Sequence, residues 1–166
     1  MSSSDRSSRR HVLAGGAALL LAGCGFQLRR PPAMPFRAIA LQGFAPRSPM
    51  HDELRRALAE VTGVVPSPAA AQVVLEALDD QRQRSVVAST AAGQVRELQL
   101  RLRFVFRLVA PDGRELLPPK ELLLARDMSY NETNALAKEH EEAQLFKAMQ
   151  SDVVAQVLRR LSAAKI

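Results

Sequence analysis

The sequence of 166 residues has no second cysteine: Cys24 stands alone. An internal disulfide is therefore excluded, as are multi-cysteine zinc and iron–sulfur centres, so stability must come from packing. Catalytic constellations are also missing. Beyond the first 23 residues the histidines are His51 and His140, far apart, with no serine elbow, no metalloprotease helix spacing and no phosphate-cradling glycine loop. That argues against an enzyme. No cofactor and no metal are assigned either: Glu139, His140, Glu141 and Glu142 are consecutive, and consecutive helical residues point to different faces. Ten prolines and eight glycines are too few for a collagen-like or low-complexity chain, and 47% hydrophobic beside 24% charged residues is too balanced for disorder. The apolar material suffices for one domain-sized core. Lys plus Arg number 23 against 17 Asp plus Glu, which favours an anionic partner. On composition alone, nucleic acid, membrane lipid and an acidic protein surface all stay open.

The apolar runs are short. The longest, Val12 to Ala22, follows the basic start Arg6, Arg9 and Arg10 and falls well short of the ~20 residues that span a bilayer. It ends Leu21-Ala22-Gly23-Cys24, which resembles the box cleaved by lipoprotein signal peptidase. Small residues fit the protease, the thiol of Cys24 carries diacylglycerol, and the new amino terminus takes a third acyl chain. Residues 1–23 read as a lipoprotein signal peptide, and several acyl chains on one cysteine exceed what stable membrane anchoring requires. Gly25, rather than Asp, follows the cysteine, a pattern that resembles outer-membrane sorting. Ser8-Arg9-Arg10-His11-Val12-Leu13 also resembles a twin-arginine signal, so the export route stays open between the general secretory and twin-arginine systems.

Residues 24–35, with Pro31, Pro32 and Pro35, read as a semi-rigid tether. A single domain over 36–166 follows. Phe36, Ile39 and Leu41 suggest a short strand ending at Gln42-Gly43. Ser48 as N-cap and Pro49 at the first helical position start a helix with Met50, Leu54, Ala57, Leu58 and Val61 on one stripe, which Gly63 is expected to terminate. From Val73 a long strand with a bulge or bend runs through Val87. Val95 to Ala110 then alternates clearly: Leu98, Leu100, Leu102, Phe104, Phe106 and Leu108 on one face, Glu97, Gln99, Arg101, Arg103 and Arg107 on the other. Pro111-Asp112-Gly113 turns the chain into an antiparallel strand over Leu122 to Tyr130. Thr133 or Asn134 caps a final helix to about Leu161, with an apolar stripe of Leu136, Ala143, Phe146, Met149, Val153, Val157 and Leu161. The expected fold is an α/β sandwich of the α+β class: two amphipathic helices on one face of a four-stranded mixed sheet, leaving an arginine-rich face bare. Arginines two residues apart on a strand lie ~7 Å apart, and Arg82 and Arg84 on the adjoining strand should crowd them. Such repulsion invites an anionic partner.

Cys24-Gly25-Phe26-Gln27-Leu28-Arg29, Arg126 to Tyr130, Asn134-Ala135-Leu136-Ala137-Lys138, Glu141-Glu142 to Asp152 and Leu158-Arg159-Arg160-Leu161 resemble the LPS-assembly lipoprotein family LptE. The resemblance implies an outer-membrane lipoprotein on the periplasmic side, seated as a plug in the lumen of an LptD-like β-barrel. The partners it implies are that barrel, lipopolysaccharide and the membrane, not nucleic acid. It also implies contact between lipopolysaccharide and basic residues, with Lys138 matching the lysine of the family's Leu-Ala-Lys segment. The family's second basic position is not reproduced: Ala91-Ala92 precede Gly93-Gln94, and Arg82, Arg84 or Arg96 could substitute. The candidate lipopolysaccharide-binding residues are thus Lys138, Arg101, Arg103, Arg107 and Arg84, with Cys24 as the lipid anchor. The competing reading is a generic periplasmic lipoprotein scaffold that binds another envelope protein.

Overall fold

The computed structural model describes residues 33–166. The expected signal peptide, Cys24 and most of the expected tether lie outside the described residues. The chain forms β1 (Ala38–Gln42), α1 (Pro49–Ala59), β2 (Gly63–Val64), β3 (Val73–Ser89), β4 (Val95–Val109), β5 (Glu115–Ser129) and α2 (Ala135–Ser162), with short 3-10 turns at Pro68–Ala70 and Glu132–Asn134. The sheet is mixed and five-stranded, in the order β2-β1-β3-β4-β5. β1 runs parallel to β2 and β3, whereas β3, β4 and β5 form the expected antiparallel meander. The fifth strand, beyond the four expected, is β2, whose two residues are too few to show any periodicity.

α1 begins as the sequence predicts. The Ser48 hydroxyl accepts the His51 amide at 3.2 Å, Pro49 fills a position needing no N–H, and Met50, Leu54 and Leu58 recur every four residues and are buried. Its end differs. The helix stops at Ala59 and Glu60 stays right-handed, so Gly63 is not its cap. Gly63 instead opens β2, its amide donating to the Arg37 carbonyl at 3.0 Å.

β5 starts seven residues earlier than the apolar run indicates. Pro118 and Pro119 hide this start in the sequence, but β5 is an edge strand, where a missing N–H breaks no ladder. They also fall in a register shift, since Phe106 pairs with Lys120 and Leu108 with Leu117. A second irregularity has wider effect. In β3, Ala77 pairs with Phe106 but Asp79 with Val105, so Leu78 is an extra residue, and the side chains from Asp79 to Val86 lie on the face opposite to the one unbroken alternation would give them.

Both helices cover one sheet face. Phe104 and Phe106, with Leu100, Leu102 and Leu108, are fully buried and share one core with Leu54, Leu58, Met149, Val153, Val157 and Leu161. The apolar stripe of α2 is shorter than predicted: Leu136 is 84% exposed and Ala143 is also exposed, so packing begins at Leu145 and Phe146. Among the described residues no helix is long and apolar enough to cross a membrane.

Candidate functional site

The bare sheet face carries Arg101, Arg103 and Arg107, as the alternation of β4 requires. It is not a field of unopposed charge. Arg107 Nε donates to Glu76 at 2.6 Å from the facing position on β3. Arg103 is held from both sides, by Asp79 of β3 and by Glu121 of β5, whose Oε1 lies 2.9 Å from Nε. The hydrogen bond with Glu121, with the attraction of that carboxylate and of Asp79, raises Arg103 above its ordinary pKa. The same hydrogen bond, with the guanidinium charge, holds Glu121 below the usual carboxylate value. Arg101 is different: its Nε donates to the Gln99 amide oxygen at 2.7 Å, and no carboxylate pairs with it among the described residues.

A folded pKa that is depressed gives stability above the unfolded carboxylate's titration range and loses it as pH falls through the folded value. Replacing Glu121 by Gln should therefore destabilise the domain at pH 7. The difference from wild type should shrink steadily below about pH 4, where free carboxylates take up protons. Urea midpoints across that range measure it; a gap that is constant with pH would show that the ion pair contributes nothing.

The crowding expected from Arg82 and Arg84 does not occur. The extra residue Leu78 turns both toward the helices, where Arg82 sits opposite Leu102 and Arg84 opposite Leu100. Arg84 Nη1 reaches Glu142 of α2 at 3.1 Å. Arg82 lies over the Phe146 ring, 5.6 Å from its centre, and donates to the Gln150 side-chain oxygen. Gln150 is only 5% exposed and donates in turn to the Pro49 carbonyl at 3.0 Å and to Glu53. This buried polar junction of α1, β3 and α2 escapes sequence reasoning; its only trace is one glutamine inside an apolar stripe.

Lys138 lies in the first turn of α2. Its Nζ donates to Ser129 Oγ at 2.9 Å and Glu141 Oε2 at 2.8 Å, and its side chain is 19% exposed. It is thus tied to the end of β5, away from the ion pairs of Arg103 and Arg107. The five predicted basic residues therefore do not form one site. Beside Lys138's end of the sheet lies a cavity of about 220 Å³ lined by Gln94, Val95, Arg96, Asn131, Glu132 and Thr133. The Arg96 carbonyl accepts the Tyr130 amide at 2.8 Å, joining β4's start to the segment leading into α2. Of the three arginines that could replace the basic position absent at Ala91, Arg82 and Arg84 are engaged, whereas Arg96 has no ion pair among the described residues.

Comparison with known proteins gives consistent results. The family profile LptE, described as lipopolysaccharide-assembly, matches residues 36–161. The LPS-assembly lipoprotein LptE of Photorhabdus laumondii is 27% identical over 153 residues, covering 90% of this chain and 83% of that protein. The solution structure of an uncharacterized lipoprotein B from Nitrosomonas europaea is similar with a TM-score of 0.72 and 29% identity, covering 84% of this chain and 91% of the other. The crystal structure of a minor lipoprotein from Acinetobacter baumannii superposes with a TM-score of 0.65 at 21% identity, covering 78% and 93%; at that identity the likeness concerns the fold alone.

Proposed function

The chain belongs to the LptE family of lipopolysaccharide-assembly proteins, and on that premise we propose that it serves lipopolysaccharide assembly as a non-catalytic outer-membrane lipoprotein. In this reading acylated Cys24 holds it to the membrane, and the domain sits as a plug within an LptD-like β-barrel, where it contacts the lipopolysaccharide in transit. The observation that carries the reading is the family match, which spans the sheet and both helices from residue 36 to 161. The lipobox-like segment before Cys24 supports the anchor.

For the lipopolysaccharide contact, the geometry favours Lys138 and Arg96 at one end of the sheet, with Arg101 on the bare face. Guanidinium groups meet phosphate oxygens with two parallel hydrogen bonds, while the lysine ammonium acts as a point charge. Arg103, Arg107 and Arg84 are paired with carboxylates of neighbouring elements, so they contribute to the sheet and its helix contact before they contribute to a ligand, whereas the carboxylate partner of Lys138, Glu141, lies one turn along its own helix. Reversing Arg103 to Asp would bring a third carboxylate against Asp79 and Glu121 and test folding rather than binding.

The test is purification of the full chain in mild detergent. Co-elution with a large β-barrel protein is expected; its repeated absence would overturn the plug reading. Lipopolysaccharide retention by the variant Lys138→Gln, Arg96→Gln, Arg101→Gln should fall about tenfold, since a single charge pair at a protein surface contributes roughly 0–1 kcal/mol. Retention equal to wild type would remove these residues from the contact.

A further inference from the structure

A second candidate site lies at the other side of the sheet, where the parallel strands end. A cavity of about 370 Å³ is lined by Leu41, His51, Arg55, Val64, Val65 and Pro66. A second, of about 270 Å³, shares Leu41 and His51 with the first and adds Phe44 and Arg47. The two make one groove beyond the carboxyl ends of β1 and β2, the position at which parallel strand–helix–strand units bind ligands.

Its chemistry is two-sided. Leu41, Val64, Val65 and Pro66 give an apolar wall, and Phe44 meets the His51 ring edge-on with centroids 5.2 Å apart, orienting the imidazole. Arg55 lines the first cavity, Arg47 the second and His51 both, and no carboxylate lines either. Among the described residues the one acid paired with this set is Asp52, whose exposed carboxylate Oδ1 lies 3.2 Å from His51 Nδ1. Arg47 and Arg55 have no ion pair or side-chain hydrogen bond among the described residues, unlike Arg82, Arg84, Arg103 and Arg107, which are all engaged. The start of α1 supplies little of its own, because Pro49 has no N–H and Ser48 already accepts the amides of His51 and Asp52. Any anion here is bound by side chains. Arg47 also holds φ at 62°, a left-handed conformation that side-chain-bearing residues rarely adopt and that Gly would adopt without strain.

We propose that this groove binds the phosphate end of an amphipathic lipid, with the guanidinium groups of Arg47 and Arg55 on the phosphate oxygens and the first carbons against Leu41, Val64 and Val65. The site is separate from Lys138 and does not depend on the lipopolysaccharide reading. Methyl NMR of the full chain in a neutral detergent tests it, with dihexanoyl phosphatidic acid, dihexanoyl phosphatidylcholine and inorganic phosphate as probes. Phosphatidic acid should shift the Leu41, Val64 and Val65 methyls, with affinity about tenfold above phosphatidylcholine, whose phosphodiester carries less charge for the guanidinium groups, and above inorganic phosphate, which has no carbons to bury against the apolar wall. Arg47→Gln with Arg55→Gln should remove that advantage, whereas Lys138→Gln leaves it intact. Arg47→Gly should melt at a higher temperature than wild type yet bind several-fold more weakly, a split that a merely structural Arg47 would not produce. Equal binding of phosphatidylcholine or of inorganic phosphate would overturn the proposal. So would unchanged affinity in a double variant whose remaining spectrum matches wild type.

Discussion

Gly43→Ala is expected to destabilise the domain by about 2–5 kcal/mol, a large part of the ~5–15 kcal/mol by which domains are stable. Gly43 has φ +80°, which for an L side chain costs roughly 1–2 kcal/mol. A methyl group there would also stand only 2.2 Å from the Ala77 carbonyl oxygen and 3.1 Å from its carbon. These are backbone atoms of β3 at the point where Leu78 interrupts the ladder, so they cannot swing aside as a side chain would. Gly93 provides the control. It has nearly the same φ, +78°, but nothing within 4 Å of the added methyl, so Gly93→Ala should show the conformational cost alone. Urea midpoints of the two variants separate the terms, and equal losses would mean that the contact with Ala77 relaxes freely.

Phe104→Ala should cost about 3–5 kcal/mol, as emptying a fully buried aromatic site does. Phe104 stacks on Phe106 at 5.7 Å between ring centres and on Phe44 at 6.0 Å, and Phe44 lines the cationic groove. The loss should therefore reach that groove as well as global stability, visible as altered chemical shifts at His51, whose ring Phe44 orients. Leu123→Ala, on the bare face and 58% exposed, should change stability by less than about 0.5 kcal/mol. A Phe104 variant as stable as wild type would mean that the core closes over the vacated volume.

Long elements were legible before any coordinates because they repeat a pattern many times. β4 alternates over fifteen residues, and its apolar set is the core that both helices cover. α1 announced its start through Ser48 and Pro49 because capping is a local matter. What escaped the sequence depends on relations between strands. β2 spans two residues, and β5's first half is masked by prolines that only its edge position accommodates. Arg84 was assigned to the wrong face because a bulge expected somewhere in β3 could not be placed at Leu78. The partners of Arg103 and Arg107 follow from register, which no composition of a single strand reveals. The groove stayed hidden for the same reason: Arg47, His51 and Arg55 look like ordinary surface residues until β1 and β2 end beside them.

Leu78 makes surface electrostatics a matter of strand register. Taken into the ladder as an ordinary strand residue, it would leave the sequence and its charge unaltered. Even so, Arg82 and Arg84 would be carried to the bare side, abandoning Gln150 and Glu142, while Asp80 would replace Asp79 beside Arg103. A face that now pairs Arg103 and Arg107 with carboxylates would gain two arginines, and α2 would lose its polar contacts with them. Removing Leu78 has no such effect, because closing the bulge leaves every residue beyond it opposite the same partner on β4. The one spare residue thus selects which charges the sheet displays, by transposing existing side chains instead of replacing them.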